Sequence, residues 1–223
     1  MTAPLTPGRR ALLTFGVPLS LAFIGYGALG IVNAVGLTHY TQSVDLVPTA
    51  HVLNVDTGDG DVHLVPSPDG NVHVLAEGVY TLSKPRLSTA STTAGVTVTG
   101  RQCNGGILIC SEDMTIAVPA GFQITARTSG GDVSATNVQS TEVSASSSAG
   151  DVRLAFSVPP TRVLASSSAG DVTIRVPTSV AYKVSGSTSG GGTRDILLTP
   201  DDTSARSITA DSGSGDVLVE GSG

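Results

Sequence analysis

One feature constrains this chain above all others: a short corner that returns at nearly constant intervals. Gly131-Asp132, Gly150-Asp151, Gly170-Asp171 and Gly215-Asp216 share it, and Gly191-Gly192 takes the same place between the last two with the Asp lost. Successive spacings are 19, 20, 21 and 24 residues. An apolar-x-small triplet precedes each corner: Ile124-x-Ala126, Val143-x-Ala145, Val163-x-Ala165, Val184-x-Gly186 and Ile208-x-Ala210. From the small residue to the Asp, or to Gly192, the count is six each time. Another copy opens the series at Leu53-x-Val55 and Asp61, and a degenerate one is placed at Leu87-x-Thr89 with Gly95-Val96. A unit of about 20 residues cannot bury its own apolar face, so such units must stack.

After each corner the residues alternate. Val172, Ile174 and Val176 share one face, with Asp171, Thr173 and Arg175 on the other; Val152 with Leu154, and Val217 with Val219, repeat the pattern. Period two means strands with one buried face. The expected fold is therefore all-β: a parallel β-solenoid, right-handed β-helix or β-prism, of roughly 20-residue coils with strands about 4.8 Å apart. A thin interior of Val, Ile, Leu and Ala explains why aromatics are only 4 % and Trp is absent. Gly is expected to supply φ > 0 at the corners, and Ser and Asp to satisfy nearby backbone groups. The stretch 62–122 fits the period less well. VHLVPSPDGNVHVL reads as a hairpin around Pro68-Asp69-Gly70, and Cys103 and Cys110 flank a second hairpin-like segment, NGGILI.

The chain ahead of the repeat is of another kind. Residues 11–37 contain no charge, and Arg9 and Arg10 directly precede them. A bilayer needs about 20 apolar residues to be crossed, and flanking Arg marks the cytoplasmic side. A cleaved signal peptide ending at Val32-Asn33-Ala34 and twin-arginine export through Arg9-Arg10 are the alternatives, but the apolar run exceeds a signal core and the residues flanking the Arg pair match poorly, so it reads as an uncleaved anchor. The division is then 1–40, a short cytoplasmic N-terminus and transmembrane helix, and 41–223, an extracytoplasmic solenoid. The net charge is −6, and all 18 acidic residues fall after position 40 against 10 basic ones, giving −8 for the second part. With no basic stripe, nucleic acid is excluded as a partner. Outside the cytoplasm, Cys103 and Cys110 are expected to form a disulfide worth about 2 kcal/mol.

The repeated S-[ST]-[SA]-G-D-V corner, the early TGDGDV segment and the VPAGFQITARTSGGDV stretch resemble the bacterial LiaG-like adhesin family, a domain of unknown function behind a membrane anchor. The resemblance covers about residues 42–223. It implies an envelope-exposed solenoid or prism and carries over no catalytic residue.

Stacked coils would bring Asp61, Asp132, Asp151, Asp171 and Asp216 into one column. Carboxylates about 5 Å apart repel by about 1 kcal/mol in water, so either turn hydrogen bonds or Ca²⁺ must compensate. The structural turn role is the preferred reading, because Gly192 breaks the column. His63 and His73, on either side of the expected hairpin, read as outward cross-strand neighbours, with His51 nearby; no Cys or Glu at ligand spacing joins them. Glu112-Asp113 and Asp201-Asp202 are adjacent pairs, which face opposite sides of a strand and make no acid–base dyad. No nucleophile elbow, P-loop or dinucleotide fingerprint is present. The sequence thus leads to a single-pass envelope protein, N-terminus inside, held in the lipid bilayer by residues 11–37. No cofactor, metal or catalysis is expected. Its role would be a surface-binding module for an envelope protein or glycan. A structural or envelope-stress accessory role is the alternative, and a polysaccharide-active enzyme is a third. End-to-end assembly is a further possibility, with Val217-Leu218-Val219 as the open terminal edge.

Overall fold

A computed structural model describes residues 36–81, 84–101 and 110–222. Among these residues every regular element is a strand. In chain order they are β1 (Thr38–Leu46), β2 (Val52–Thr57), β3 (Val62–Pro66), β4 (Val72–Tyr80), β5 (Arg86–Thr92) and β6 (Gly95–Arg101). There follow β7 (Cys110–Val118), β8 (Gln123–Thr128), β9 (Val133–Val138), β10 (Glu142–Ser147), β11 (Val152–Phe156) and β12 (Arg162–Ser167). The last five are β13 (Val172–Pro177), β14 (Lys183–Thr188), β15 (Arg194–Ile196), β16 (Ser207–Ser212) and β17 (Val217–Ser222).

Two sheets enclose one core. The nine-stranded sheet runs β1-β4-β7-β3-β9-β11-β13-β17-β15, and the eight-stranded sheet runs β14-β16-β12-β10-β8-β2-β6-β5. Seven coils stack between them, each giving one strand to either sheet: β6–β7, β2–β3, β8–β9, β10–β11, β12–β13, β16–β17 and β14–β15. Neighbouring coils are parallel and in register, so like residues stack. Val184, Ile208, Val163, Val143, Ile124, Leu53 and Val96 form one apolar column of the eight-stranded sheet. Val217, Val172, Val152, Val133, Val62 and Met114 form its counterpart in the other. β-Branched side chains suit such half-buried pleats, and each fully buried one contributes about 1.5–3 kcal/mol. The all-β parallel solenoid expected from the repeat is the observed architecture.

The order of the coils is not the order of the chain. From β13 the chain skips one layer, builds β14–β15 at the outer end, then returns to fill the gap with β16–β17. The opposite end does the same, since β6–β7 lies outside β2–β3 while β8–β9 stacks on its inner side. Hence β17 is not an edge: it lies between β13 and β15. The repeat spacing carries no record of this, because a coil of given length fits any vacant layer. Nor does the stretch 62–80 form a hairpin. β7 sits between β3 and β4, antiparallel to β4 and parallel to β3. The Leu87 copy is also not a coil: β5 and β6 form an antiparallel pair there.

The apolar run 11–37 lies outside the described residues up to position 35, as does Cys103 of the expected disulfide. Among the described residues no helix is long and apolar enough to cross a membrane. β1, which follows the run, is the edge strand of the nine-stranded sheet, and β15 is its opposite edge. Eight strand spacings separate these edges, about 38 Å at 4.8 Å each.

Candidate functional site

The corner between the two sheets of each coil is built from a hydroxyl, a Gly and an Asp, and its hydrogen bonds run between coils. Asp132 N–H donates to Asp61 Oδ1 at 2.8 Å, Asp151 N–H to Asp132 Oδ1 at 2.8 Å, and Asp171 N–H to Asp151 Oδ1 at 2.7 Å. Asp216 N–H continues to Asp171 Oδ1 at 2.8 Å, and Thr193 N–H closes on Asp216 Oδ1 at 2.7 Å. Asp113 heads the column, accepting from Asp61 N–H at 3.0 Å. Each carboxylate therefore caps the amide of its neighbour in the stack. Thr193, not Gly192, stands in the Asp place, because Gly191 is an extra corner residue at φ +89°. Thr193 belongs to the last coil, where no further amide needs a carboxylate, which accounts for the lost Asp. The two Thr193 hydrogen bonds hold the Asp216 carboxyl below its usual range.

A buried hydroxyl row runs beside this column. Ser147 Oγ donates to Gly131 O and accepts from Gly150 N–H, both at 2.8 Å. Ser167 does the same with Gly150 O and Gly170 N–H, Ser212 with Gly170 O and Gly215 N–H, and Thr128 with Gly60 O and Gly131 N–H. The signal was in the sequence: a Ser or Thr stands four residues before Asp61, Asp132, Asp151, Asp171 and Asp216. Ser147→Ala leaves the buried Gly131 carbonyl and the half-buried Gly150 N–H unpartnered and should cost about 2 kcal/mol. Thr193→Ala, exposed on the last coil, should stay within about 0.5 kcal/mol. Chemical denaturation of the two variants checks this; equal losses would contradict the inter-coil role of the row.

The corner glycines serve closeness rather than positive φ. Gly131, Gly150, Gly170 and Gly215 lie outside the left-handed region. A Cβ on Gly150 would stand 2.1 Å from Gly131 O, and one on Gly170 2.3 Å from Gly150 O. Arg153 completes the corner by pairing with Asp132 Oδ2 at 3.0 Å and with the Asp151 carboxylate. Among the described residues no group of three or more His, Cys, Asp or Glu is arranged to hold a metal ion.

The histidines part company. His63 Nδ1 meets Ser134 Oγ at 2.6 Å, and His51 packs edge-on against Phe122. His73 bridges Asp45 at 2.7 Å and Asp69 at 3.0 Å, hydrogen bonds that lift its imidazole above the ordinary range. They are not cross-strand neighbours, since β7 and β9 lie beside β3. The acidic pairs separate too. Asp113 joins the column, while Glu112 turns inward and is 5 % exposed. Tyr40, Gly78 and Glu112 align across β1, β4 and β7, and Lys84 lies over the Tyr40 ring at 5.1 Å. Tyr40 Oη faces the Glu112 carboxyl closely enough to influence it, but neither it nor Glu112 Oε1 reaches hydrogen-bond geometry with a partner. Burial pushes the Glu112 carboxyl up, against smaller opposing effects of the Tyr40 hydroxyl and Lys84. Asp201 is held by Thr203 N–H at 2.9 Å and Thr203 Oγ1 at 2.6 Å, which lower its carboxyl.

Two kinds of surface remain. The outer face of the eight-stranded sheet carries a straight row: Thr97, Asn54, Thr125, Ser144, Leu164, Thr209 and Ser185, hydroxyls and an amide broken by one Leu at 45 % exposure. On the side away from the Asp column lies an open groove of about 510 Å³, lined by the 178–182 and 197–201 loops. A second groove of about 420 Å³, reaching Asn137, Phe156 and Ser222, shares Thr178 and Ser179 with it.

Comparison with known proteins gives three findings. The fold is similar to the crystal structure of a "putative cell adhesion protein" from Clostridium sporogenes, with a TM-score of 0.59, 13 % identity, and coverage of 83 % of this chain and 100 % of that one. Two further structures align less well. A "putative adhesin" from Bacteroides fragilis has a TM-score of 0.38 at 13 % identity over 82 % of this chain and 97 % of that one. A "putative lipid binding protein" from Parabacteroides distasonis has 0.28 at 10 % identity over 82 % and 96 %. No curated protein sequence matches the chain. The family profile described as Toastrack DUF4097 matches residues 50–222, from just before β2 to the end of β17, and the chain therefore belongs to the Toastrack DUF4097 family.

Proposed function

We propose that this protein is a membrane-anchored, non-enzymatic surface module of the cell envelope, of LiaG-like type, that takes an extended protein or glycan on a lateral face of its solenoid. One observation carries the reading. The corner carboxylates and hydroxyls are engaged in joining coil to coil, while the Thr97–Ser185 row lies outside that network on the outer face of the sheet, with Ser185 Oγ and Thr209 Oγ1 paired to each other at 3.2 Å. The anchor follows from the uncharged run 11–37 behind Arg9 and Arg10. Because β1 is an edge strand, such an anchor would hold the stack by one end and leave its faces open. Cys103 and Cys110 then lie outside the cytoplasm as a disulfide.

A membrane-impermeant thiol reagent on intact cells tests location and disulfide together. No label is expected before reduction, and two labels per chain after treatment with an impermeant reductant. Label before reduction contradicts the disulfide; no label after it contradicts the outward domain.

A further inference from the structure

The β14–β15 coil differs from the six it stacks upon, and each difference bears on what can follow it. Its strand β15 pairs in register with β17, so Arg194 occupies the inward place of Val217 and, behind it, of Val172, Val152, Val133 and Val62. Gly186 takes the inward place held by Ala210, Ala165, Ala145 and Ala126. A Cβ on Gly186 would lie 3.5 Å from Arg194 Nε, an ordinary contact, so the Arg side chain reaches across from β15 to the inward face of β14. Among the described residues no carboxylate pairs with Arg194. Thr193 presents a hydroxyl where every earlier corner presents a carboxylate for the next amide.

We infer that this coil is a cap that closes the anchor-distal end of the solenoid to strand addition, with the inward Arg194 as its principal barrier. The free edges of β14 and β15 would otherwise be templates for a second copy, whose coils share the same register and the same apolar columns. Seating another coil on this one would bury a guanidinium with no counter-charge, which is strongly unfavourable. It would also leave an incoming corner amide without its carboxylate. A polar terminal repeat is what keeps a stack of identical units soluble. The coil that carries Arg194 is accordingly the outermost one, with the regular β16–β17 coil beneath it although it comes later in the chain. The term anchor-distal rests on the function proposed above; the closure itself does not. Its consequence is that a partner must approach a lateral face.

The test restores the repeat at the end coil. The full-length chain in mild detergent is compared with Gly186→Ala/Thr193→Asp/Arg194→Val and with Arg194→Leu alone, by size-exclusion chromatography with light scattering at 1–100 µM. The wild type is expected to remain one chain per particle. Both variants should show at least a tenfold larger multimer fraction at the highest concentration, with Arg194→Lys behaving as the wild type. Arg194 is exposed, so Arg194→Leu leaves the core intact and decides the matter if the triple variant unfolds. Variants that remain single chains overturn the inference, as does a wild type that multimerises to the same extent. Behaviour of the wild type without detergent reports on the anchor, and the contrast between variants and wild type reports on the cap.

Discussion

Gly150→Ala is expected to lower the midpoint of thermal unfolding by several degrees, reaching about 6–12 °C at the upper end of the overpacking cost. The added Cβ would stand 2.1 Å from Gly131 O and 2.6 Å from Asp132 Oδ1. The first of these is backbone, so no side-chain rotation relieves the clash. The coils must separate locally, breaking the Ser147 and Asp132 hydrogen bonds at the same corner. Overpacking of this kind costs up to about 3 kcal/mol, and each kcal/mol shifts the midpoint by about 2–4 °C in a chain of this size. Gly70→Ala is the matched control, since nothing lies within 4 Å of its Cβ position. That change should be neutral or slightly stabilising, because it only restricts the unfolded chain. Calorimetry on both variants measures the difference; a Gly150→Ala midpoint within 2 °C of the wild type would mean that the coils are not held at this spacing.

The second large effect concerns Glu112. Its carboxyl is buried and its folded value lies above the unfolded one, chiefly through desolvation. A group shifted in this direction stabilises the fold fully below its unfolded value, and that contribution is lost as pH rises through the folded value. Glu112→Gln cannot ionise. At pH 4 it should match the wild type, and at pH 8 it should be more stable by about 1–2 kcal/mol, the scale of a buried unsatisfied polar group. Urea unfolding at the two pH values reads both numbers. A variant less stable than the wild type at pH 8 would show that the ionised carboxylate, through Lys84, contributes more than its burial removes.

Much of this was legible in the sequence, and the failures have definite causes. The triplets and corners fixed the strands and their inward residues, because period-two alternation and burial are one property viewed twice. Val172, Ile174 and Val176 are buried as the pattern requires. Layer order was not legible, because local sequence determines a coil and not the slot it fills. The same gap produced the false hairpin at Pro68-Asp69-Gly70: turn residues are present, yet β7 arrives from more than thirty residues downstream to part the two strands. The Gly role was misassigned since turn chemistry and close approach select the same residue. The corner Asp residues follow one another through hydrogen bonds between coils, and their carboxylates cap the next coil rather than their own turn. Asp113 was missed as its head because no Gly precedes it. Arg194 was unremarkable until register put it in a column of valines.

The central claim is that an outward-facing solenoid engages a partner laterally. A photoreactive residue placed at Ser144, on the outer face of the eight-stranded sheet, is compared with one at Thr193 on the end coil, in the full-length chain on intact cells. The account predicts one discrete, saturable cross-linked species from Ser144, suppressed by an excess of unlabelled soluble domain, and none from Thr193. Cross-links from Thr193 alone, or none from either position, would contradict it.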